Sequence, residues 1–199
     1  VVTAWAIHLI VNQHHQSKIR NQKSKINMID YNPQTAVLQA KMQAWFVSML
    51  SVLADAYKLG AVIGKGASIR FGNDTLYPDV MFIPTEERKI VKADAVYGGP
   101  LLAIDLIDSK LPAAERESLC KRYNAAHVLE YWQVEADRAH ATFYQASAAW
   151  TYDVIPPDRA GMHFSSAIVE LAFPVTWFRT QPDLFTMMTY WEIISDQGD

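Results

Sequence analysis

Cysteine occurs once in these 199 residues, at Cys120. No disulfide can form within the chain, and a reducing compartment, the cytoplasm, is expected. Long hydrophobic runs are also missing. No stretch reaches the roughly 18 consecutive apolar residues of a membrane span, so no membrane partner is expected. Val1–Val11 is apolar but short, and basic residues come after it rather than before it, the wrong order for a secretory signal. Glycine is sparse, at 8 residues, and none falls in a phosphate-cradling motif. Positive charge is scarce beyond the N-terminus. Lys18, Arg20, Lys23 and Lys25 fall in residues 1–27, which hold no acid; taking these four from the 18 basic residues leaves 14 against 21 acids, a net −7. That balance argues against gripping nucleic acid over a wide basic face. It permits an enzyme that meets phosphate through bound metal and a few local cations.

Residues 1–27 differ in composition from the rest of the chain. His14 and His15 lie in a Gln/Asn/Lys-rich stretch that reads as a solvated tail, and the first methionine is Met28. The expectation is an N-terminal extension, 1–27, that is non-native or disordered, and a single domain over 28–199.

From Met28 onward the patterning is that of one α/β domain. Leu38, Met42, Trp45, Met49, Leu53 and Ala56 recur at helical spacing, predicting a helix over Thr35–Leu59 that ends at Gly60. Ala61–Phe71 reads as a strand bent at Gly64 and Gly66, and the turn Gly72-Asn73-Asp74 makes it a hairpin with the next strand. Asp108 or Ser109 is expected to cap a helix running from about Pro112 to Ala126. Strands at Leu129–Val134, Ala141–Gln145 and Trp150–Ile155 precede a C-terminal helix over Pro182–Ser195.

Two short apolar runs, Tyr77–Ile83 and Leu101–Ile107, each read as a buried strand carrying one aspartate. A lone buried carboxylate costs several kcal/mol unless something pairs with it. Asp105 falls on the face of Ala103 and Ile107, opposite Leu102, Ile104 and Leu106. Asp79 and Asp105 could share one hard divalent cation, since Mg²⁺ is usually held by one or two carboxylates plus water and phosphate oxygens. Asp79 could equally end a turn. Lys121, on the next helix, could complete a phosphodiester-cleaving site; it also lies four residues after Glu117, the favoured order for an exposed ion pair. Cys120 and His127 are two helical turns apart, and Cys120 reads as a core residue.

The order of these parts resembles a known family. A Pro-Asp strand, then Gly98-Gly99-Pro100-Leu101-Leu102-Ala103-Ile104-Asp105, then Glu117-x-x-x-Lys121-x-Tyr123, then Glu130-Tyr131-Trp132-Gln133-Val134 is similar to the Uma family of bacterial restriction-endonuclease-like proteins. That family belongs to the PD-(D/E)xK nuclease superfamily, and the likeness runs from about Gln39 to Phe178. It implies a restriction-endonuclease-like α/β (α+β) core, a mixed β-sheet flanked by helices. It implies Asp79 and Asp105 as Mg²⁺ ligands, with Mn²⁺ as substitute, Lys121 as the catalytic lysine and Glu117 in support. The superfamily lysine position two residues after the second acid is Ile107 here. Asp105 replaces the family's usual glutamate, and Asp108-Ser109-Lys110 replaces its Ser-Pro; Asp108 is expected to act as a cap. The implied activity is Mg²⁺-dependent hydrolysis of DNA phosphodiester bonds, with DNA held weakly through metal; a homodimer is expected because a lone small domain would cut one strand at a time. The alternatives are a catalytically silent binding or regulatory module of the same fold, and a metal-dependent hydrolase of a small phosphorylated substrate.

Overall fold

The computed structural model describes residues 33–194. The expected extension over 1–27, the boundary at Met28 and the last residue of the expected C-terminal helix lie outside them. The chain runs α1 (Pro33–Tyr57), β1 (Gly60–Gly64), β2 (Ile69–Phe71), β3 (Asp74–Leu76), β4 (Val80–Pro84), β5 (Val96–Tyr97), β6 (Leu102–Ile107), α2 (Ala113–Ala125), β7 (Glu130–Glu135), β8 (His140–Ala146), β9 (Tyr152–Val154), β10 (Met162–Phe164), β11 (Ala172–Pro174), α3 (Trp177–Thr180) and α4 (Leu184–Tyr190). The main sheet has the order β1-β4-β6-β7-β8-β9, with a three-stranded sheet β3-β2-β5 and a β10-β11 pair beside it. Among the described residues, only β6 and β7 pair in parallel within the main sheet. α2 is their crossover, as a parallel pair requires.

Strict alternation on strands buried from both sides divides the core in two. Val80, Phe82, Leu102, Ile104, Trp132 and Val134 pack with Phe46, Met49, Leu50 and Leu53 of α1. Met81, Ile83, Ala103 and Tyr131 face the other way, toward Tyr123 and Ala126 and the inner side of the small sheet. By length and composition Thr35–Tyr57 could cross a bilayer; here Phe46, Met49, Leu50 and Leu53 are wholly buried against the sheet.

Several boundaries differ from the sequence expectation. α1 stops at Tyr57, and Lys58, at φ 55°, takes the left-handed position expected of Gly60. Gly60 serves another purpose: a Cβ there would meet the Ile83 carbonyl oxygen at 2.1 Å. Gly99 is held likewise, with the Ala126 and His127 carbonyls each 2.4 Å from any added Cβ. The expected Ala61–Phe71 strand splits at the Gly66 turn, so that β1 pairs with β4 while β2 leaves for the small sheet. Neither Asp108 nor Ser109 caps α2, whose N-cap is Pro112. The Asp108 carboxylate instead accepts from the Lys110 N–H at 2.8 Å, and the Ser109 hydroxyl donates to Asp137.

At the start of β7, buried Glu130 gathers a fan of donors. Trp132 Nε1 (2.6 Å) and His163 Nε2 (2.9 Å) meet Oε1; Ser165 Oγ (2.7 Å), Ser166 N (2.8 Å), Ser166 Oγ (3.1 Å) and Ala167 N (2.9 Å) meet Oε2. Burial pushes its carboxyl up, but His163, Ser165, Ala167 and Trp132 together outweigh that and hold it below the ordinary glutamate value. Its contribution is therefore present above the unfolded value and is lost as pH falls through the folded one. Removing a charged partner from such a cluster leaves the donors unpaired. Glu130→Ala should cost about 3–5 kcal/mol, read as a lower urea midpoint at unchanged slope.

Candidate active site

The functional residues come from neighbouring strands: Lys65 follows β1, Asp79 precedes β4, and Asp105 is the fourth residue of β6. The β4–β6 ladder ends at Val80 and Ile104 and the β1–β4 ladder at Gly64 and Val80; just beyond both ends Asp79 meets the Leu106 N–H on one side and Lys65 on the other. On the far side Asp105 is in register with Gln133. The two expected acids are thus neighbours: Asp79 bonds the backbone of the residue after Asp105, and its charge acts on the Asp105 carboxyl.

Asp79 ends the β4 ladder with its own side chain. Its N–H still bonds to the Ile104 carbonyl at 3.0 Å. The Leu106 N–H, however, donates to Asp79 Oδ2 at 2.8 Å. Asp79 Oδ1 receives the Lys65 ammonium at 3.0 Å. Gln43 and Gln39 of α1, one turn apart, donate to the Asp79 and Leu106 carbonyls and fix the backbone on either side.

Asp105 is buried, and two phenols satisfy it. Tyr123 of α2 donates to Oδ1 at 2.7 Å and Tyr131 of β7 to Oδ2 at 2.9 Å, the two rings stacked at 4.2 Å. Burial foremost pushes the Asp105 carboxyl up to about 7; Tyr123 and Tyr131 pull it down and the Asp79 charge pushes it up. Burial and then the Asp105 charge raise both phenols, which stay protonated donors. Arg122 reaches the edge of this group and is held by Asp74 through two contacts of 2.7 Å and by the Thr75 carbonyl at 2.9 Å.

Lys121 and Glu117 are placed elsewhere. They pair with each other at 2.6 Å, both well exposed. They line an open groove of about 540 Å³ with Arg116, Cys120, Tyr144 and Tyr152, which neither Asp79 nor Asp105 enters. The ammonium that meets an acid of the pair is that of Lys65. Its local signal is slight, a lysine between Gly64 and Gly66, because only strand register carries it to Asp79. Burial raises the Cys120 thiol, which lies 3.5 Å from Gln133 Nε2. Asp79 and Asp105 are the hard oxygen donors of the site; among the described residues no cluster of three His, Cys, Asp or Glu forms.

The mixed sheet flanked by helices is a restriction-endonuclease-like fold. It is shared with a solved structure described as a "putative nuclease belonging to DUF820 from Anabaena variabilis ATCC 29413", at a TM-score of 0.58 over 72% of this chain and 81% of that one, with 11% sequence identity. The sequence matches Uma2, described as "Putative restriction endonuclease", over residues 20–181, and the chain belongs to that family. No curated protein matches the sequence.

The Asp105 environment makes a pH prediction. An acid whose folded value is raised keeps its proton longer in the native state, so stability falls as pH rises from the unfolded value to the folded one. Between 3.8 and about 7 the loss is on the order of 4 kcal/mol. Thermal melts of the metal-free protein should show that decline, and Asp105→Asn should abolish most of it while melting higher than the wild type at pH 8.

Proposed function

We propose that this chain is a metal-dependent endonuclease that hydrolyses DNA phosphodiester bonds, with Asp79 and Asp105 as the acidic pair and Lys65 as the amine. The observation that carries the reading is the contact of Lys65 with Asp79 and of Asp79 with the backbone next to Asp105, across adjacent strands β1, β4 and β6. Both carboxylates are hard donors, and each oxygen has a second lone pair beyond its present bond, a set that suits Mg²⁺ or Mn²⁺. Asp79 Oδ1 already attracts a cationic group in Lys65. The chemistry that a divalent cation supplies in such a site is acidification of water and polarisation of a phosphoryl oxygen.

The protein's own groups do the rest. Asp105 is a donor only when ionised, and with its carboxyl raised in the metal-free protein proton and cation compete for it, so cation affinity rises with pH. Tyr123 and Tyr131 fix its carboxylate in one orientation. Lys65, 71% exposed and flanked by two glycines, is free to leave Asp79 and meet a phosphate oxygen, where its charge offsets that of the transition state. Gln39 and Gln43 hold the strand ends so that the acids do not part.

A second reading, a silent binding module of the same fold, is favoured by one observation. All four carboxylate oxygens of the pair already have partners: Lys65, the Leu106 N–H, Tyr123 and Tyr131.

Nicking of supercoiled plasmid separates the two. Cleavage should require Mg²⁺ or Mn²⁺ and vanish in Asp79→Asn and Asp105→Asn. Lys65→Ala should lower the rate about 10²–10³-fold, while Lys121→Ala retains it. The reverse ranking of the two lysines would return the role to Lys121. Saturating cation at about a hundred times its dissociation constant should raise the melting temperature on the order of 5–10 °C. A protein that neither nicks nor shifts, with an oligonucleotide present as well, is the silent module.

A further inference from the structure

The small sheet beside the acid pair has one face in the core and one in solvent. Ile69 pairs with Leu76 and with Val96, and all three are buried. The next row is the outward one: Arg70 pairs with Thr75 on one side and Tyr97 on the other. Tyr97 is 43% exposed, and the Arg70 guanidinium lies 5.9 Å from the centre of its ring, hydrogen-bonded to its hydroxyl at 3.1 Å and to Asp94 at 2.8 Å. Two residues after Thr75 comes Tyr77, on the same side by alternation, and two further comes Asp79. Tyr77 is 73% exposed, although its neighbours Leu76 and Pro78 are buried. Pro78 restricts Tyr77 to extended backbone. Tyr97 first, then Asp94 and more weakly Tyr77, raise the affinity of Arg70 for its proton, so the Tyr77 hydroxyl is within electrostatic reach of the guanidinium.

Two exposed aromatic rings and a guanidinium thus lie on the outward side of the small sheet, and the chain leads from Tyr77 to Asp79 in two residues. Flat π surfaces beside single exposed cations, each now held by an acid (Arg70 by Asp94, Lys65 by Asp79), match a chain that alternates flat bases with single negative charges that can take the acids' place. A duplex hides its base faces and offers phosphates, which calls for a broad basic surface; the net −7 of residues 28–199 does not provide one. On an unpaired strand, base–aromatic stacking adds about 1–3 kcal/mol per base to what a few local cations supply.

We propose that the outward face of the β3-β2-β5 sheet binds unpaired, single-stranded nucleic acid, with Tyr77 stacking on the base next to the phosphate presented to Asp79 and Asp105. This names the substrate class of the site above. It rests on that reading for the cleaved bond, but not for binding.

The test is binding of a fluorescent oligothymidylate of about 15 nucleotides to the full chain in EDTA, against a blunt duplex of equal length. The oligonucleotide should bind tighter than the duplex. Tyr77→Ala should weaken it about 5- to 150-fold, the loss of one stacked base, while Tyr77→Phe and Tyr77→Trp keep the affinity. Phe185→Ala, which removes another exposed aromatic ring (60% exposed), should change nothing. Equal affinity for duplex, no effect of Tyr77→Ala, or equally good competition by polyglutamate would each overturn the proposal. Cleavage indifferent to Tyr77 would remove the platform and leave the nuclease. Tyr77-dependent binding without cleavage of any substrate would leave the platform and remove the nuclease.

Discussion

Water is the cheapest partner for a carboxylate, and a strand covered on both faces withholds it. Two acids of this domain, Asp105 and Glu130, are placed on adjacent parallel strands under that constraint, and much of the surrounding architecture answers to them. Glu130 meets it by saturation. Six donors from β7, β10 and the Ser165–Ala167 turn converge on its two oxygens, and the charge is retained below the usual range. Asp105 receives only two phenols and lies beside another acid. Its charge is under-compensated, so it titrates near neutrality. The first arrangement ties strands together, and the second leaves a group ready to take a further positive partner. Strongly shifted acids in this sense cluster where chemistry is done.

The acid pair is legible in the sequence because burial costs are written locally: an aspartate within six apolar neighbours declares itself. Asp105 faces as alternation says it must, away from Leu102, Ile104 and Leu106. By the same criterion Glu130 is open to view at the head of the Leu129–Val134 strand, where its place in a Glu-Tyr-Trp motif masks the buried charge. Lys65 is not legible. It lies 14 residues before Asp79, and only the β1–β4 register, fixed by long-range pairing, makes them neighbours. Lys121 shows the converse, for its four-residue spacing from Glu117 describes its observed partner. The split of Ala61–Phe71 into two sheets is hidden for a related reason: a glycine bend in a sequence does not say which neighbour each half will choose.

The family match and the shared fold bear on architecture over most of the chain, and the site draws its residues both from the recognisable motifs and from the turn at Lys65, which carries no motif. Such a division is common to folds that host many chemistries. The sheet sets the acids, and the segments around it decide which cation joins them and what may approach.

Gly99 has a consequence for this site that is mechanical. With the Ala126 and His127 carbonyls where a side chain would begin, the entry to β6 abuts the exit of α2, backbone on backbone. That contact is a stop. It fixes how far α2 can slide along the sheet, and Tyr123, three residues before Ala126, is carried by the same helix to Asp105. A spacer of one methyl group at Gly99 would move the helix along its axis and draw the phenol away from the acid, several residues from the change itself. The length of a hydrogen bond in the interior is thus set at the rim, by a residue with no side chain.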